Sequence, residues 1–189
     1  MYDRQALIDL VRSRALKFGD FTLASGRTAK YYLDGKQITL DSRGAVLVAK
    51  GLLDLLASKG PLPKAVGGMA IGADPITAAL ITLAGVRNLP LTGVLVRKEP
   101  KGHGTNRFVE GPVQAGDTIA IVEDVVTTGG SSLEAIKRVQ EFGLTVSRVL
   151  AIIDRMEGGA ETFAAQRIPF DSLLTIRDFG IEPPATCTV

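Results

Sequence analysis

Apolar residues recur along this chain with two spacings, one typical of buried strands and one typical of helices. Short continuous apolar runs favour parallel strands covered on both faces, and repeats every three or four residues favour amphipathic helices. The predicted strands lie near 65, 91–96, 119–122, 146–153 and 170–176, and the predicted helices lie over 3–16, 42–58, 75 onwards, 133–142 and 160–166. This alternation predicts an α/β fold with a parallel sheet, in which ligands bind at the carboxyl ends of the strands.

Polar residues mark where two of these helices begin. Asp74 followed by Pro75 predicts an N-cap and a first helical residue, and Ser131 with Glu134 has the form of a capping box. In the helix over 42–58, the residues predicted to be largely buried are Val46, Leu47, Leu52, Leu53, Leu55 and Leu56.

Two short β-like runs, at 21–23 and 31–33, flank a Ser25-Gly26 turn near the N-terminus. From their spacing alone, these runs predict a plain hairpin. At 189 residues, the chain is long enough for a single domain with one core.

The stretch 118–142 passes from strand to glycine loop to helix without a spacer. Its apolar run is predicted to end at Glu123 and Asp124. The residues that follow are Val125, Val126, Thr127, Thr128, Gly129, Gly130 and Ser131. Glycines let the backbone approach an anion closely, hydroxyls add donors, and a helix N-terminus adds partial positive charge. This composition predicts a phosphate-binding loop.

The two acids distinguish this loop from common nucleotide-binding loops. The chain lacks both GxxxxGK[ST] and a GxGxxG that follows a strand, so neither a P-loop nor a dinucleotide fingerprint is favoured. Carboxylates repel phosphate but accept hydrogen bonds from sugar hydroxyls, so Glu123 and Asp124 predict a ribose phosphate as ligand. The alternative is an ordinary turn between strand and helix with two chance acids.

A basic, glycine-punctuated run over 97–107 contains almost no apolar residue. Its candidate functional residues are Arg97, Lys98, Lys101 and His103. Such a run predicts a mobile loop, and on its own it is most often a solvated surface.

Composition limits the partners that need to be considered. The net charge is +2, too small to argue for nucleic acid or a membrane as a partner. Cys187 is the only cysteine, so no internal disulfide is possible and a reducing compartment is acceptable. No apolar run reaches about 18 residues and no signal pattern opens the chain, so a cytoplasmic location is expected.

Four segments resemble the orotate phosphoribosyltransferases, in the order in which that family carries them. They are SGR followed by Tyr31-Tyr32, RKExKxHG at 97–104, VEDVVTTGGSS at 122–132 and DRxEGG at 154–159. The third looks like the phosphoribosyl diphosphate (PRPP) signature of the type I phosphoribosyltransferases. The resemblance implies the type I fold over one domain, 1–189, with a small N-terminal hood from about 1–40.

The resemblance also implies a reaction, the transfer of the 5-phosphoribosyl group from PRPP to orotate in pyrimidine synthesis. The products would be orotidine 5′-phosphate and diphosphate. Lys101 and His103 would act on the departing diphosphate, and Thr127 with Arg155 would bind orotate. The implied PRPP-binding residues are Arg97, Lys98, Lys101, His103, Glu123, Asp124, Val125, Val126, Thr127, Thr128, Gly129, Gly130 and Ser131.

Other expectations follow from the same resemblance. Mg²⁺ would be held mainly by PRPP oxygens and water, without a dedicated protein cage. The chain would form a homodimer in which the basic loop reaches the neighbouring active site. Lys30, Tyr31 or Tyr32 would cover the orotate ring, and the glycine loop after the strand near 65 would hold the diphosphate. Many relatives carry a lysine where this chain has Ala24, which leaves open the basic group that replaces it.

Two other functions fit parts of the pattern. A phosphoribosyltransferase for another base would keep 122–132 but would lack the set Lys101, His103 and Arg155. A PRPP-sensing regulator would bind PRPP without consuming it, and the intact basic loop argues against that function.

Overall fold

The computed structural model describes residues 2–22, 28–100 and 108–184. The helices are α1 (Arg4–Arg14), α2 (Lys36–Thr39), α3 (Ser42–Ser58), α4 (Asp74–Val86), α5 (Gly130–Glu141) and α6 (Gly159–Ala165), with a 3-10 turn at Ile176–Phe179. The strands are β1 (Leu16–Thr22), β2 (Thr28–Leu33), β3 (Ala65–Met69), β4 (Thr92–Val96), β5 (Val109–Glu110), β6 (Thr118–Val126), β7 (Thr145–Asp154) and β8 (Phe170–Thr175).

Six strands form the central sheet, in the order β5-β4-β3-β6-β7-β8. All neighbouring pairs are parallel except β4 with β5, which is antiparallel. The predicted α/β fold with a mostly parallel sheet is therefore confirmed. The short elements α2 and β5 were not predicted, because four and two residues are too few to show a periodicity.

Helices cover both faces of the sheet and divide the core into two clusters. Ala120 and Val122 face α1, α3 and α4, whereas Ile119 and Ile121 face α5 and α6. Successive residues of a strand point to opposite faces, so a strand covered on both sides needs apolar residues without alternation. This explains why the run at 119–122 is continuously apolar.

The hairpin predicted near the N-terminus is present as a separate two-stranded sheet of β1 and β2. It begins earlier than predicted, because Leu16 pairs with Leu33 and leaves α1 to end at Arg14. The rings of Phe21 and Tyr32 lie 5.7 Å apart between their centroids and pack across the two strands.

Two of the details predicted for these helices were wrong. Val46 is 50% exposed, although the other members of its predicted set are buried or partly buried in α3. Asp74 is the first residue of α4 rather than its N-cap, because Ala73 already has helical backbone angles and takes the cap position. Pro75 does lie in the first turn, as predicted.

Gly68 sets how closely β3 approaches its neighbours. A Cβ at this position would lie 2.2 Å from the carbonyl oxygen of Val122 and 2.7 Å from the Cβ of Ala73. Any larger residue would have to push β6 or the start of α4 away from β3. The close spacing at the carboxyl end of the sheet therefore depends on a missing side chain.

We predict that Gly68→Ala lowers the free energy of unfolding by at least about 2 kcal/mol, because overpacking against backbone cannot be relieved by a rotamer change. Urea unfolding measures the loss. Gly85→Ala is the matched control, because a Cβ there meets no atom within 4 Å. It should be neutral or stabilise α4 by up to about 1 kcal/mol. Equal stabilities of the two variants would contradict the packing argument.

Candidate active site

The order of strands reverses direction between β3 and β6. From β3 the chain adds β4 on one side, and it later adds β6, β7 and β8 in succession on the other side. In open α/β sheets, ligands bind in the crevice at such a reversal, outside the carboxyl ends of the strands. The loops that leave β3, β6 and β7 meet at this edge, so the candidate site is the crevice they enclose.

The loop after β6 encloses a cavity of about 230 Å³, lined by Glu123 and residues 125–132. Gly129 has a φ of +84°, and a Cβ on it would lie 3.0 Å from the ring of Phe163. Glycine is therefore required there both by conformation and by space. Within the described chain, no side chain caps the first turn of α5, which leaves its first N–H groups available to an anion.

The predicted capping box at the start of α5 was wrong. The N-cap is Gly129, and Ser131 lies inside the helix. Glu134 instead accepts hydrogen bonds from Arg138, with a shortest distance of 2.7 Å. Because the Glu134 side chain is bonded to Arg138, one turn further along α5, it does not reach back to the N-terminus of the helix. The absence, among the described residues, of a capping side chain at the start of α5 favours anion binding, since a capping hydroxyl would compete with the anion for the same N–H groups.

The two acids lie inside β6 rather than after it. Pairing with β7 continues through Glu123 and Val125 to Val126, so the prediction that the strand stops at the acids was wrong. The side chain of Glu123 is buried, and its Oε2 accepts a hydrogen bond of 3.3 Å from the Ser132 hydroxyl. One Oδ of Asp124 accepts a hydrogen bond of 2.8 Å from the Val125 N–H. The sheet therefore holds both carboxylates on rigid backbone.

Burial dominates the electrostatics of this acid pair. Burial and then the negative charge of Asp124 raise the pKa of Glu123 to about 7. Burial also raises the pKa of Asp124. Adjacent buried carboxylates are costly unless donors or cations satisfy them. The pair is therefore suited to a ligand that presents hydroxyl groups, with positive charge nearby.

Two glycines bring backbone against the acid pair from different directions. A Cβ on Gly35 would lie 2.6 Å from Oδ2 of Asp124, and a Cβ on Gly72 would lie 3.4 Å from Oε1 of Glu123. Gly35 immediately precedes α2, and Gly72 belongs to the loop after β3. These approaches place two separate segments against the two carboxylates of β6.

Arg155 follows β7 directly and lies beside the phosphate loop. Its backbone N–H donates to the carbonyl of Val126 over 2.9 Å, so it is a close neighbour of Thr127. Its Nε donates to the Tyr31 hydroxyl over 3.0 Å, and its Nη2 lies 2.6 Å from Oε1 of Glu157. The Tyr31 hydroxyl donates to the same carboxylate oxygen over 3.3 Å.

This network fixes one edge of the guanidinium group of Arg155. The Cζ atom lies 4.7 Å from the centroid of the Tyr31 ring, which adds a cation–π contact. In the described part of the chain, Nη1 has no hydrogen-bond partner. The Nη1 end is therefore available to a planar anion, and a carboxylate fits it well.

A second cavity, of about 690 Å³, opens between the loop after β3 and the end of β4. Arg97 and Lys98 line it and are exposed, and Asp74, Glu99 and Glu110 line it as well. Nη1 of Arg97 lies 3.1 Å from Oε1 of Glu110, and the Arg97 carbonyl accepts a hydrogen bond from Arg138. The predicted residues Lys101 and His103 lie outside the described residues.

Sequence reasoning did not identify two residues that reach this region. Gly35 and Lys36 lie between the predicted hairpin and α3, where the sequence shows no motif. Their proximity to Asp124 and to the larger cavity comes only from the way α2 packs. Lys30, by contrast, is exposed, pairs with Asp20 over 2.5 Å and does not line the larger cavity.

Residues 2–22, 28–100 and 108–184 contain no group of three or more His, Cys, Asp or Glu side chains that could hold a metal ion. No helix in the same ranges is both long and apolar enough to cross a membrane.

The chain is similar to curated proteins over nearly its whole length, although no family model matches it. It is 55% identical over 185 residues to the orotate phosphoribosyltransferase of Rhodopirellula baltica, covering 96% of each chain. It is 42% identical over 181 residues to the orotate phosphoribosyltransferase of Aquifex aeolicus, covering 94% of this chain and 98% of the relative.

Solved structures show the same likeness in three dimensions. The orotate phosphoribosyltransferase of Mycobacterium tuberculosis in complex with PRPP aligns with a TM-score of 0.79 and 32% identity, over 94% of this chain and 99% of the other. The orotate phosphoribosyltransferase of Aeropyrum pernix aligns with a TM-score of 0.70 and 32% identity, over 90% of this chain and 94% of the other.

The raised pKa of Glu123 has a testable effect on folding. Between pH 4.5, its ordinary pKa, and about pH 7, the unfolded chain loses this proton while the folded chain keeps it. Stability therefore falls as the pH rises through that window. We predict that Glu123→Gln removes this loss, so that the variant gains about 1–3 kcal/mol relative to the wild type between pH 4.5 and pH 8.

Urea unfolding of the ligand-free protein at both pH values measures this difference. The control is Glu141→Gln, which removes a carboxylate from the exposed side of α5. It should leave the pH dependence unchanged. Identical pH dependence in the wild type and in Glu123→Gln would show that burial of Glu123 does not perturb its titration.

Proposed function

The chain belongs to the orotate phosphoribosyltransferase family, and we propose that the crevice between β3 and β6 is its active site. The enzyme transfers the 5-phosphoribosyl group from PRPP to orotate, which yields orotidine 5′-phosphate and diphosphate in pyrimidine biosynthesis. The observation that carries the assignment of the site is the convergence of an acid pair, a phosphate loop and Arg155 at one edge of the sheet.

The acid pair and the phosphate loop suit the phosphoribosyl group. Glu123 and Asp124 accept hydrogen bonds from the 2′ and 3′ hydroxyls of the ribose, which supply the donors that the buried carboxylates need. The loop 125–131 binds the 5′-phosphate with backbone N–H groups and hydroxyls. Its support is the 230 Å³ cavity at the uncapped N-terminus of α5.

Orotate is proposed to lie beside Arg155 and Thr127. The Nη1 end of Arg155 donates to the orotate carboxylate, while Tyr31 and Glu157 keep the opposite edge of the guanidinium fixed. A guanidinium held by other groups binds a carboxylate with little loss of side-chain entropy. Of the three hood residues considered, Tyr31 is the one with a contact that supports a role near the base, whereas Tyr32 packs on Phe21.

The chemical step is the displacement of diphosphate from C1′ of the ribose by a ring nitrogen of orotate. The C1′–O bond to diphosphate breaks and its electron pair leaves with the diphosphate, while the C1′–N bond forms and the attacking nitrogen releases its proton to solvent. The transition state resembles an oxocarbenium ion. Negative charge grows on the diphosphate. Arg97, Lys98 and Lys101 stabilise it, and His103 donates a proton to a diphosphate oxygen. Closure of the basic loop over the crevice excludes water.

Mg²⁺ is the proposed cofactor. The donors at the site fit it, because carboxylate, phosphate and hydroxyl oxygens are the ligands that Mg²⁺ prefers. The diphosphate and ribose oxygens would hold the ion, with water completing its shell, and Glu123 and Asp124 lie close to the ribose. When bound, the ion neutralises charge on the diphosphate.

A homodimer with shared active sites is the proposed assembly, in which the basic loop of one subunit completes the site of the other. An apolar groove of about 650 Å³ between α3 and α4 supports self-association, since Leu40, Val46 and Val86 at its edge are at least half exposed. It adjoins the larger cavity, because α4 lines both.

A cytoplasmic location stays a prediction.

The base specificity is tested by measuring consumption of orotate with PRPP and Mg²⁺, each omitted in turn. We expect turnover only when all three are present. Hypoxanthine, guanine, adenine and uracil, which lack a carboxylate for Arg155, should not be consumed. Turnover of one of these bases in place of orotate would contradict the proposal and favour a phosphoribosyltransferase for another base.

Arg155→Lys should raise the KM for orotate by tenfold or more and leave the KM for PRPP within about twofold, because lysine cannot provide a planar fork. Steady-state kinetics with each substrate varied measures both constants. Arg177→Lys replaces an exposed arginine outside the crevice and is the control. An unchanged KM for orotate in Arg155→Lys would exclude the carboxylate contact.

Lys101→Ala should lower turnover far more than it weakens orotate binding, because the loop acts on charge that develops in the transition state. Mixing Lys101→Ala with Arg155→Ala tests the shared sites. A mixed dimer would contain one site with both residues native, so activity should exceed that of either variant alone. Equal losses of turnover and orotate affinity in Lys101→Ala would count against the loop's role, and no recovery on mixing would count against shared sites.

A further inference from the structure

Lys36 reaches the larger cavity from a different segment of the chain than the other cations. The cavity is lined by Lys36, by Ala70, Ile71, Gly72 and Asp74 after β3, by Leu95, Arg97, Lys98 and Glu99 at the end of β4, and by Glu110 of β5. Its three cations therefore share the cavity with three carboxylates, of which Glu110 is paired with Arg97. Arg97 and Lys98 are neighbours in sequence and come from the same edge. Among the described residues that line the cavity, Lys36 is the one cation contributed by another segment.

The backbone beside Lys36 is fixed by its contact with the acid pair. A Cβ on Gly35 would lie 2.7 Å from the Cβ of Asp124, closer than a methyl group can approach. Because Gly35 has no side chain, the start of α2 lies directly on Asp124. The adjacent Lys36 is therefore held near the carboxylates that are proposed to bind the ribose, and the diphosphate of PRPP is attached to that ribose.

The present partner of Lys36 can release it at low cost. Nζ of Lys36 lies 2.9 Å from Oδ1 of Asp34, with the lysine side chain 50% exposed and the aspartate side chain 19% exposed, so solvent screens the lysine end of the pair. Asp34 also accepts hydrogen bonds from the backbone N–H of Lys36 over 3.2 Å and from Nε2 of Gln37 over 3.1 Å. Asp34 thus stays hydrogen-bonded if Nζ turns toward an anion.

Lys36 is charged at neutral pH. The hydrogen bond to Asp34 raises the pKa of the Lys36 ammonium above its ordinary value, and the charge of Asp124 adds to this effect. An ammonium on a flexible stem is well suited to a diphosphate, which presents several oxygens in no fixed plane.

We propose that Lys36 binds the diphosphate group of PRPP, so that this group is held between Lys36 on one side and Arg97 with Lys98 on the other. The inference rests on the proposed function and deepens it, because it names a contact that none of the sequence motifs contains.

Calorimetric titration with inorganic diphosphate and Mg²⁺ tests the contact directly. Lys36→Ala should weaken diphosphate binding by tenfold or more, since a charge-assisted hydrogen bond is lost. Lys36→Arg should retain most of the affinity. Lys137→Ala is the control, because Lys137 is an exposed lysine of α5 that pairs with Glu141 and does not line the cavity.

Ribose 5-phosphate separates a direct contact from a structural effect. It carries the sugar and the 5′-phosphate but no diphosphate, so its affinity should be unchanged in Lys36→Ala. Equal weakening of ribose 5-phosphate and diphosphate, or wild-type diphosphate affinity in Lys36→Ala, would overturn the inference. If the wild type fails to consume orotate with PRPP, the proposed function fails and the inference fails with it.

Discussion

Two adjacent carboxylates buried at the carboxyl end of the central strand are the constraint on which the site depends. Glu123 and Asp124 lie within β6, where pairing to β7 continues beyond them. Burial of unpaired acids opposes folding, so the rest of the sheet and both of its apolar clusters must hold them there. The raised pKa of Glu123, about 7, is the electrostatic sign of that cost. A ligand that donates hydrogen bonds to the two carboxylates, with cations nearby, would lower this cost. Binding of such a ligand would therefore also stabilise the folded protein.

Missing side chains let the backbone close around these acids. Gly35 and Gly72 approach the carboxylates from separate segments, and Gly68 lets β3 lie close to β6. At each of these positions a Cβ would contact a neighbour, and at Gly35 and Gly68 it would clash. The width of the crevice is therefore set by the packing of the strands, and the loops contribute the polar side chains and backbone groups that line it.

Charges are ordered across the sheet in a way that matches the reaction. Arg155 lies at the end of β7, the acids lie in β6, and Arg97 lies after β4, beyond β3. The proposed substrate groups follow the same order, with the orotate carboxylate, the ribose and the diphosphate placed along the edge. Arg155, the acid pair and Arg97 thus occupy different positions along one crevice, which is the arrangement that the proposed binding of orotate and PRPP requires.

The sequence by itself determined the fold class and the approximate positions of the parallel strands, because buried parallel strands have a local pattern. It also predicted a phosphate-binding loop at 125–131 from the glycines and hydroxyls there, and that role stays a prediction. It did not predict that β6 runs through Glu123, since strand pairing with β7 decides where a strand ends. It also could not predict the Gly129 cap, the clamp of Tyr31 and Glu157 on Arg155, or the approach of Lys36. Those depend on contacts between residues that are distant in the chain, and only the packing of α2, the hairpin and the sheet brings them together.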